Sequence, residues 1–296
     1  MKKLSLILFM LVLLMAGCGS EKQAAEHKLQ VAASFYPMAE FARNIGGDKV
    51  EVTMLVPDGA EAHDWEPSPS DLAKLGHAQV FVYNGIVESW AEQAVQALSE
   101  RKLVAVEAGK NLFTRQGKLD PHVWISPKKA MIEVKRITEA LCQVDQENAS
   151  YYQGNRDKYL EKLKALDKQL TQLAAKAPRR VFVTAHAAFG HLADDYGLQQ
   201  LAVNGLSPTA EPTPADLQNL IKVVEKEQIE YIFFETLTDP KTAELLAKET
   251  GAKTAVLDPL EGLSKEGREQ KLDYLQIMQQ NIHNLNIALN TNVKAK

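Results

Sequence analysis

Residues 147–175 read ENASYYQGNRDKYLEKLKALDKQLTQLAA. Tyr152, Tyr159, Leu163, Leu166 and Leu170 recur at the spacing of one helical face, and the intervening residues are mostly charged or polar. Gly154 is the only glycine, and the first proline is Pro178, which ends the stretch. A helix of about 28 residues rises roughly 40 Å at 1.5 Å per residue. A strut of that length in mid-chain predicts two compact halves, one on each side. It also predicts limited hinge motion, unlike crossing strands.

On both sides of the strut, short apolar runs alternate with amphipathic stretches. The runs before it are Leu29–Ser34, Glu51–Val56, Val80–Tyr83 and Leu103–Val106; those after it are Arg180–Ala185, Leu198–Val203, Tyr231–Glu235 and Lys253–Leu257. Each suits a strand buried on both faces. Helices are expected between them, among others at Pro37–Ile45, Ser70–Leu75, Ala215–Glu227 and Pro240–Thr250. Such alternation specifies an α/β protein with mainly parallel sheets and right-handed crossovers. The expected organisation is an N-terminal lobe at 29–146, a linking helix at 147–177 and a C-terminal lobe at 178–296, with a ligand site in the interlobe cleft.

The 296 residues are 45% hydrophobic and 24% charged, enough apolar mass for two cores. The net charge of -4, with no basic, aromatic-laced face, argues against a nucleic-acid partner. The chain opens MKKLSLILFMLVLLMAGC: two lysines, then an apolar core too short for an ordinary membrane span. Residues 1–17 therefore read as an export signal. Met15-Ala16-Gly17-Cys18 resembles the lipobox of bacterial lipoproteins, with Met where Leu is more usual. It implies acylation of Cys18, anchorage in a lipid bilayer and a polar tether over residues 18–28. The remaining Cys142 lies in a helical pattern and reads as a buried thiol without a disulfide partner.

Seven histidines occur. His63 lies in a Gly/Pro-marked loop after an expected strand, His122 in a loop before a helix, and His186 at a strand's carboxyl end. Asp258 sits at a comparable strand end in TAVLDPL. In open α/β sheets, ligands bind beyond the carboxyl ends of strands. Two of these residues come from each half, and three imidazoles with one carboxylate make a tetrahedral set for zinc. No compact spacing compels that set, and an isolated strand-end histidine also serves as a hydrogen-bonded structural group. His27, His77 and His283 stand in tether, connector and polar-helix contexts. His191, five residues after His186, lies off its helical face.

The words GAEAHDWEPSPSDL, VYNGIVESW, DPHVWISPKKA, TAHAAFGHLADDYGL, TAEPTPADL, FFETLTDPKTAELLAKETGAK and LDPL follow in order along the chain. Together they resemble the zinc/manganese solute-binding lipoproteins of ABC transporters, from the lipobox to near the C-terminus. The resemblance implies two lobes joined by one long helix, with one metal ion between them. It implies His63, His122, His186 and Asp258 as ligands. Asn84 and Glu235 end strands at the expected site edge and Glu211 lies in a word shared with the family, so each reads either as a partner that orients a ligand or as a turn residue or lobe–lobe hydrogen bond. It also implies a monomeric extracytoplasmic receptor that hands its ion to a membrane permease and is not an enzyme. Zinc is the expected ion and manganese the alternative; surface adhesion and zinc-dependent hydrolysis are the competing functions. Two features depart from the pattern: Ala62 replaces the usual proline before the first ligand, and Lys110–Asp120 lacks a long histidine-rich loop. Trp65 and Trp124 read as core residues beside the site.

Overall fold

The computed structural model describes residues 27–206 and 213–290. Its first sheet is built from β1 (Leu29–Ala33), β2 (Val50–Met54), β3 (Val80–Tyr83) and β4 (Val104–Glu107) in the order β2-β1-β3-β4. The second contains β7 (Val181–Thr184), β8 (Gln199–Ala202), β9 (Tyr231–Phe234) and β10 (Lys253–Val256) in the order β10-β9-β7-β8. All pairings within both sheets are parallel. Every strand lies within two residues of its expected bounds. No residue of the central strands β1, β3, β7 and β9 is exposed, as continuous apolar runs require, whereas the edge strands β2, β8 and β10 each expose at least one.

Between the sheets in sequence lies a two-stranded antiparallel hairpin, β5 (Thr114–Arg115) and β6 (Lys118–Leu119). Its turn residues Gln116 and Gly117 have φ of 50° and 77°, the left-handed pair that a tight hairpin needs.

Helices α1 (Tyr36–Gly46), α2 (Pro69–Leu75), α3 (Ala91–Ala97) and α4 (Pro127–Val144) belong to the first lobe, and α5 (Ala149–Lys176) is the long strut. Helices α6 (Gly190–Tyr196), α7 (Pro214–Lys226), α8 (Lys241–Thr250), α9 (Lys265–Glu269) and α10 (Tyr274–Asn290) follow. Two start on the same chemistry. Ser68 and Thr213 each accept the backbone N–H of an aspartate three residues on, Asp71 and Asp216, whose carboxylate accepts the cap's own N–H.

Helix α5 buries Tyr152, Tyr159, Leu163, Leu166, Leu170 and Leu173. That stripe packs on α1 and α4 in the first lobe and on α10 in the second. Phe41 joins the three helices, with ring centroids 6.1 Å from Tyr159 and 5.0 Å from Tyr274. One apolar core therefore runs through both lobes, from Val31 to Leu285. Trp124, fully buried, ties the lobes again: its Nε1 donates to the carbonyl of Pro259 at 2.8 Å, and its own carbonyl accepts from Tyr274 Oη at 2.6 Å. Trp65, half-buried, packs against this core and against a smaller cluster, 5.5 Å from Trp90.

Candidate metal centre

Four loops, each following a strand's carboxyl end, converge between the lobes. The loop after β2 brings His63, the loop after the hairpin His122, the loop after β7 His186, and the loop after β10 Glu261. Their donor atoms all lie within 4.8 Å of one another. His63 Nε2 is 3.2 Å from His122 Nε2, and His186 Nε2 is 3.4 Å from His122 Nε2. Glu261 Oε1 stands 3.3, 3.2 and 3.5 Å from the Nε2 atoms of His63, His122 and His186. A regular tetrahedron with metal–ligand bonds of 2.0–2.1 Å has edges of about 3.3–3.4 Å. Five of the six separations match those edges and the sixth, between His63 and His186, lies within 4.8 Å, so the four donors are close enough to hold one ion of zinc's size.

Two imidazoles are aimed from behind. Asp120 Oδ1 lies 2.8 Å from His122 Nδ1 and accepts the His122 backbone N–H at 3.0 Å. Glu235 Oε1 lies 2.5 Å from His186 Nδ1 and accepts the His186 N–H at 3.1 Å. A carboxylate on Nδ1 keeps the proton there and leaves the Nε2 lone pair for an ion. His63 is less enclosed, 13% exposed where the other two are sealed. Its backbone N–H donates to Glu61 Oε1 at 3.2 Å.

The charges reinforce one another. Burial alone would lower the basicity of His186, but the hydrogen bonds and charges of Glu235 and Glu261 outweigh it and raise the pKa to about 10. Burial likewise opposes protonation of His122, and Asp120 and Glu261 reverse the balance. Burial would push the Glu261 carboxyl up; the three imidazoles hold it well below the usual carboxylate range. Glu61 is raised to about 7, first by burial and then by the neighbouring Glu261.

The structure brings His63, His122 and His186 together, but the carboxylate beside them is Glu261, and the expected Asp258 is elsewhere. Asp258 Oδ1 accepts the N–H of Leu260 at 2.7 Å and Oδ2 accepts Thr236 Oγ1 at 2.8 Å. Its backbone is clamped by Asn281, whose Oδ1 accepts the Asp258 N–H and whose Nδ2 donates to its carbonyl. The cause of the exchange is local. Leu260 adopts φ of 58°, and this reversal after Pro259 turns the following residue, Glu261, toward the histidines. Asp258 serves as the brace of that turn.

Asn84 does not touch a ligand side chain. Its Nδ2 donates to the carbonyl of Pro121, the residue before His122, at 3.2 Å. Glu211 and Cys18 lie outside the described residues. His191 is buried and donates through Nε2 to the carbonyl of Asp120 at 2.9 Å, so it supports the loop that carries His122. Sequence reasoning missed Glu261, Asp120 and Glu61. Each stands within three residues of a residue already singled out, but nothing in the sequence marks which neighbour turns inward.

The comparisons with known proteins agree with this geometry. Residues 31–288 match the family described as ZnuA, zinc-uptake complex component A, periplasmic. The chain is 41% identical to the high-affinity zinc uptake system protein ZnuA of Bacillus subtilis, covering 94% of each. It is 37% identical to the zinc-binding lipoprotein AdcA of Streptococcus pneumoniae, covering 95% of this chain and 60% of AdcA. Among solved structures, the Zn(II)-bound ZnuA-like domain of Streptococcus pneumoniae AdcA superposes with a TM-score of 0.81 at 38% identity, covering 90% of this chain and all of that one. The laminin-binding protein Lmb of Streptococcus agalactiae, described as bifunctional with adhesin and metal-transporting activity, gives 0.81 at 33% identity over 88% of this chain and all of that one.

Proposed function

The chain belongs to the ZnuA family of periplasmic zinc-uptake components, and from that premise we propose that it is an extracytoplasmic receptor that binds one zinc ion with high affinity and delivers it to an ABC-type permease. The observation that carries the reading is the convergence of His63, His122, His186 and Glu261, with five of six donor separations at the edge length of a zinc tetrahedron. Three imidazoles and one carboxylate suit zinc better than manganese, which favours more oxygen donors and more than four positions. Four protein donors also fill a tetrahedron. Catalytic zinc keeps a position open for water, so this arrangement supports capture rather than hydrolysis.

Binding follows from the site's own electrostatics. Glu261 is ionised before the ion arrives, and the imidazoles share protons with the carboxylates around them. An entering dication displaces those protons, and Asp120 and Glu235 keep the two sealed rings in ligating orientation throughout. The lobes at 29–146 and 178–296, tied through the linking helix by a shared core, favour modest motion on loading. An acylated Cys18 would hold the monomeric receptor at the membrane surface beside its permease. Adhesion remains a second reading because the Lmb likeness includes a bifunctional protein; laminin binding by the metal-free and zinc-loaded forms tests it.

The decisive measurement is elemental analysis of protein purified without added metal, paired with a cobalt titration. One zinc per chain and the intense visible bands of tetrahedral cobalt are expected. Protein without metal that also takes up no cobalt would refute the receptor reading.

A further inference from the structure

One flank of the cleft is pinned by charge. Helix α6 of the second lobe carries Asp194 and Asp195. Asp195 Oδ2 accepts from Ser126 Oγ at 2.5 Å and from Lys129 Nζ at 2.6 Å, and its carbonyl accepts from Lys128 Nζ at 2.9 Å. Asp194 is gripped by the β5–β6 hairpin. Arg115 Nε is 2.8 Å from Asp194 Oδ2, Arg115 Nη2 donates to Oδ1 at 3.3 Å, and Gln116 Nε2 donates to the same oxygen at 3.1 Å. A hairpin of the first lobe thus reaches across to the second.

Arg115 has another neighbour. Gly190 opens α6 without a side chain, and the point where its Cβ would stand is 2.7 Å from Arg115 Cζ, from Arg115 Nε and from Asp120 Oδ2. The guanidinium and the Asp120 carboxylate occupy one gap that only glycine leaves open. Asp120 Oδ1 orients His122, while Oδ2 is buried without a hydrogen-bond partner.

We propose that Arg115 is a positioning residue that couples lobe closure to the His122 ring. Anchored on Asp194 across the cleft, its guanidinium shares with Asp120 the space over Gly190, and so limits how far that carboxylate can swing away from His122 Nδ1. When the lobes part on this flank, Arg115 loses its anchor, Asp120 loses its stop, and His122 loses the partner that sets its tautomer and angle. Ion retention and lobe apposition are then one event, and prising this flank open is sufficient to loosen a ligand. The inference rests on the metal-receptor reading.

Zinc release into excess chelator tests it, together with the His122 Nδ1–H signal in spectra of 15N-histidine-labelled, zinc-loaded protein. Arg115→Ala should release zinc about tenfold faster and broaden or erase that signal while leaving His186 unchanged. Gly190→Ala should act in the same direction. Alanine favours a helix, so faster release there reflects displacement of Arg115 and Asp120 rather than a weakened α6. Arg115→Lys should recover part of the loss, since an ammonium keeps the charge without the fork. Lys129→Ala removes one of three contacts to Asp195 and leaves the Arg115–Asp194 anchor closed, so it should change release by less than about twofold. Wild-type rates in both Arg115→Ala and Gly190→Ala overturn the proposal. So does a Lys129→Ala variant that disturbs the His122 signal as much as Arg115→Ala, because Arg115 would then be lobe adhesive only. Failure of the wild type to take up zinc overturns the receptor reading instead.

Discussion

Glu261 and Glu133 are both sealed from solvent, at 2% and 0% exposure, yet the metal centre keeps one ionised and the first lobe's interior keeps the other protonated. Three imidazoles face Glu261 and hold it well below the usual carboxylate range against the effect of burial. Glu133, on α4, has both oxygens without a hydrogen-bond partner. Burial raises it to about 8, with Glu88 adding to the rise and Arg136 opposing it. Burial therefore does not decide the charge of a carboxylate; the groups that face it do. Negative charge is maintained where a cation is to be received and is suppressed where it would only weaken a core.

The largest expected effect breaks the comparison at Glu261. Glu261→Gln keeps the shape and removes the charge, and should weaken zinc binding by about 10²–10³-fold in a competition titration, as when one partner is lost from a buried ionic set. Asp258→Asn, which touches only the brace of the turn, should stay within about tenfold of wild type. If Asp258→Asn is the more damaging of the two, the carboxylate ligand is Asp258 after all.

The next effect concerns Glu133 and should appear in stability rather than binding. Its folded pKa is raised from 4.5 to about 8. Below pH 4.5 both folded and unfolded chains hold the proton. As pH rises toward 8, only the unfolded chain releases it freely, so stability falls across that window and levels off beyond it. Glu133→Gln should remove this loss and stabilise the metal-free protein by about 2–4 kcal/mol at pH 8, with a much smaller change at pH 4.5. Denaturant unfolding at the two pH values measures it. An equal difference at both would show that Glu133 is not protonated in the fold.

The smallest effect sharpens the picture at the back of the site. Glu235→Gln retains a polar group near His186 Nδ1 but withdraws the charge, and should weaken zinc about tenfold. It should also lower the pH at which the metal-free His186 ring titrates, followed by NMR. A ring that titrates unchanged would remove Glu235 from the account of His186.

Much of the fold was legible in the chain. Strands such as Val80–Tyr83 and Tyr231–Phe234 are continuous apolar runs, and the stripe of Tyr152, Tyr159, Leu163, Leu166 and Leu170 carries its helical period openly. The β5–β6 hairpin is not legible in the chain, although Gln116-Gly117 supplies its turn residues. Its strands are two residues each, too short to show a period. At the site, the three histidines could be nominated from their places after strands and from the words around them.

By itself the sequence determined the alternation of elements, the long strut and the three imidazoles, because periodicity and residue type are local properties. Tertiary structure alone decided that Glu261 and not Asp258 faces those imidazoles, through the positive φ of Leu260. It alone set Asp120 behind His122 and Arg115 in the gap above Gly190. These choices depend on where four separate loops meet to within a few tenths of an ångström, and no short stretch of chain contains that information.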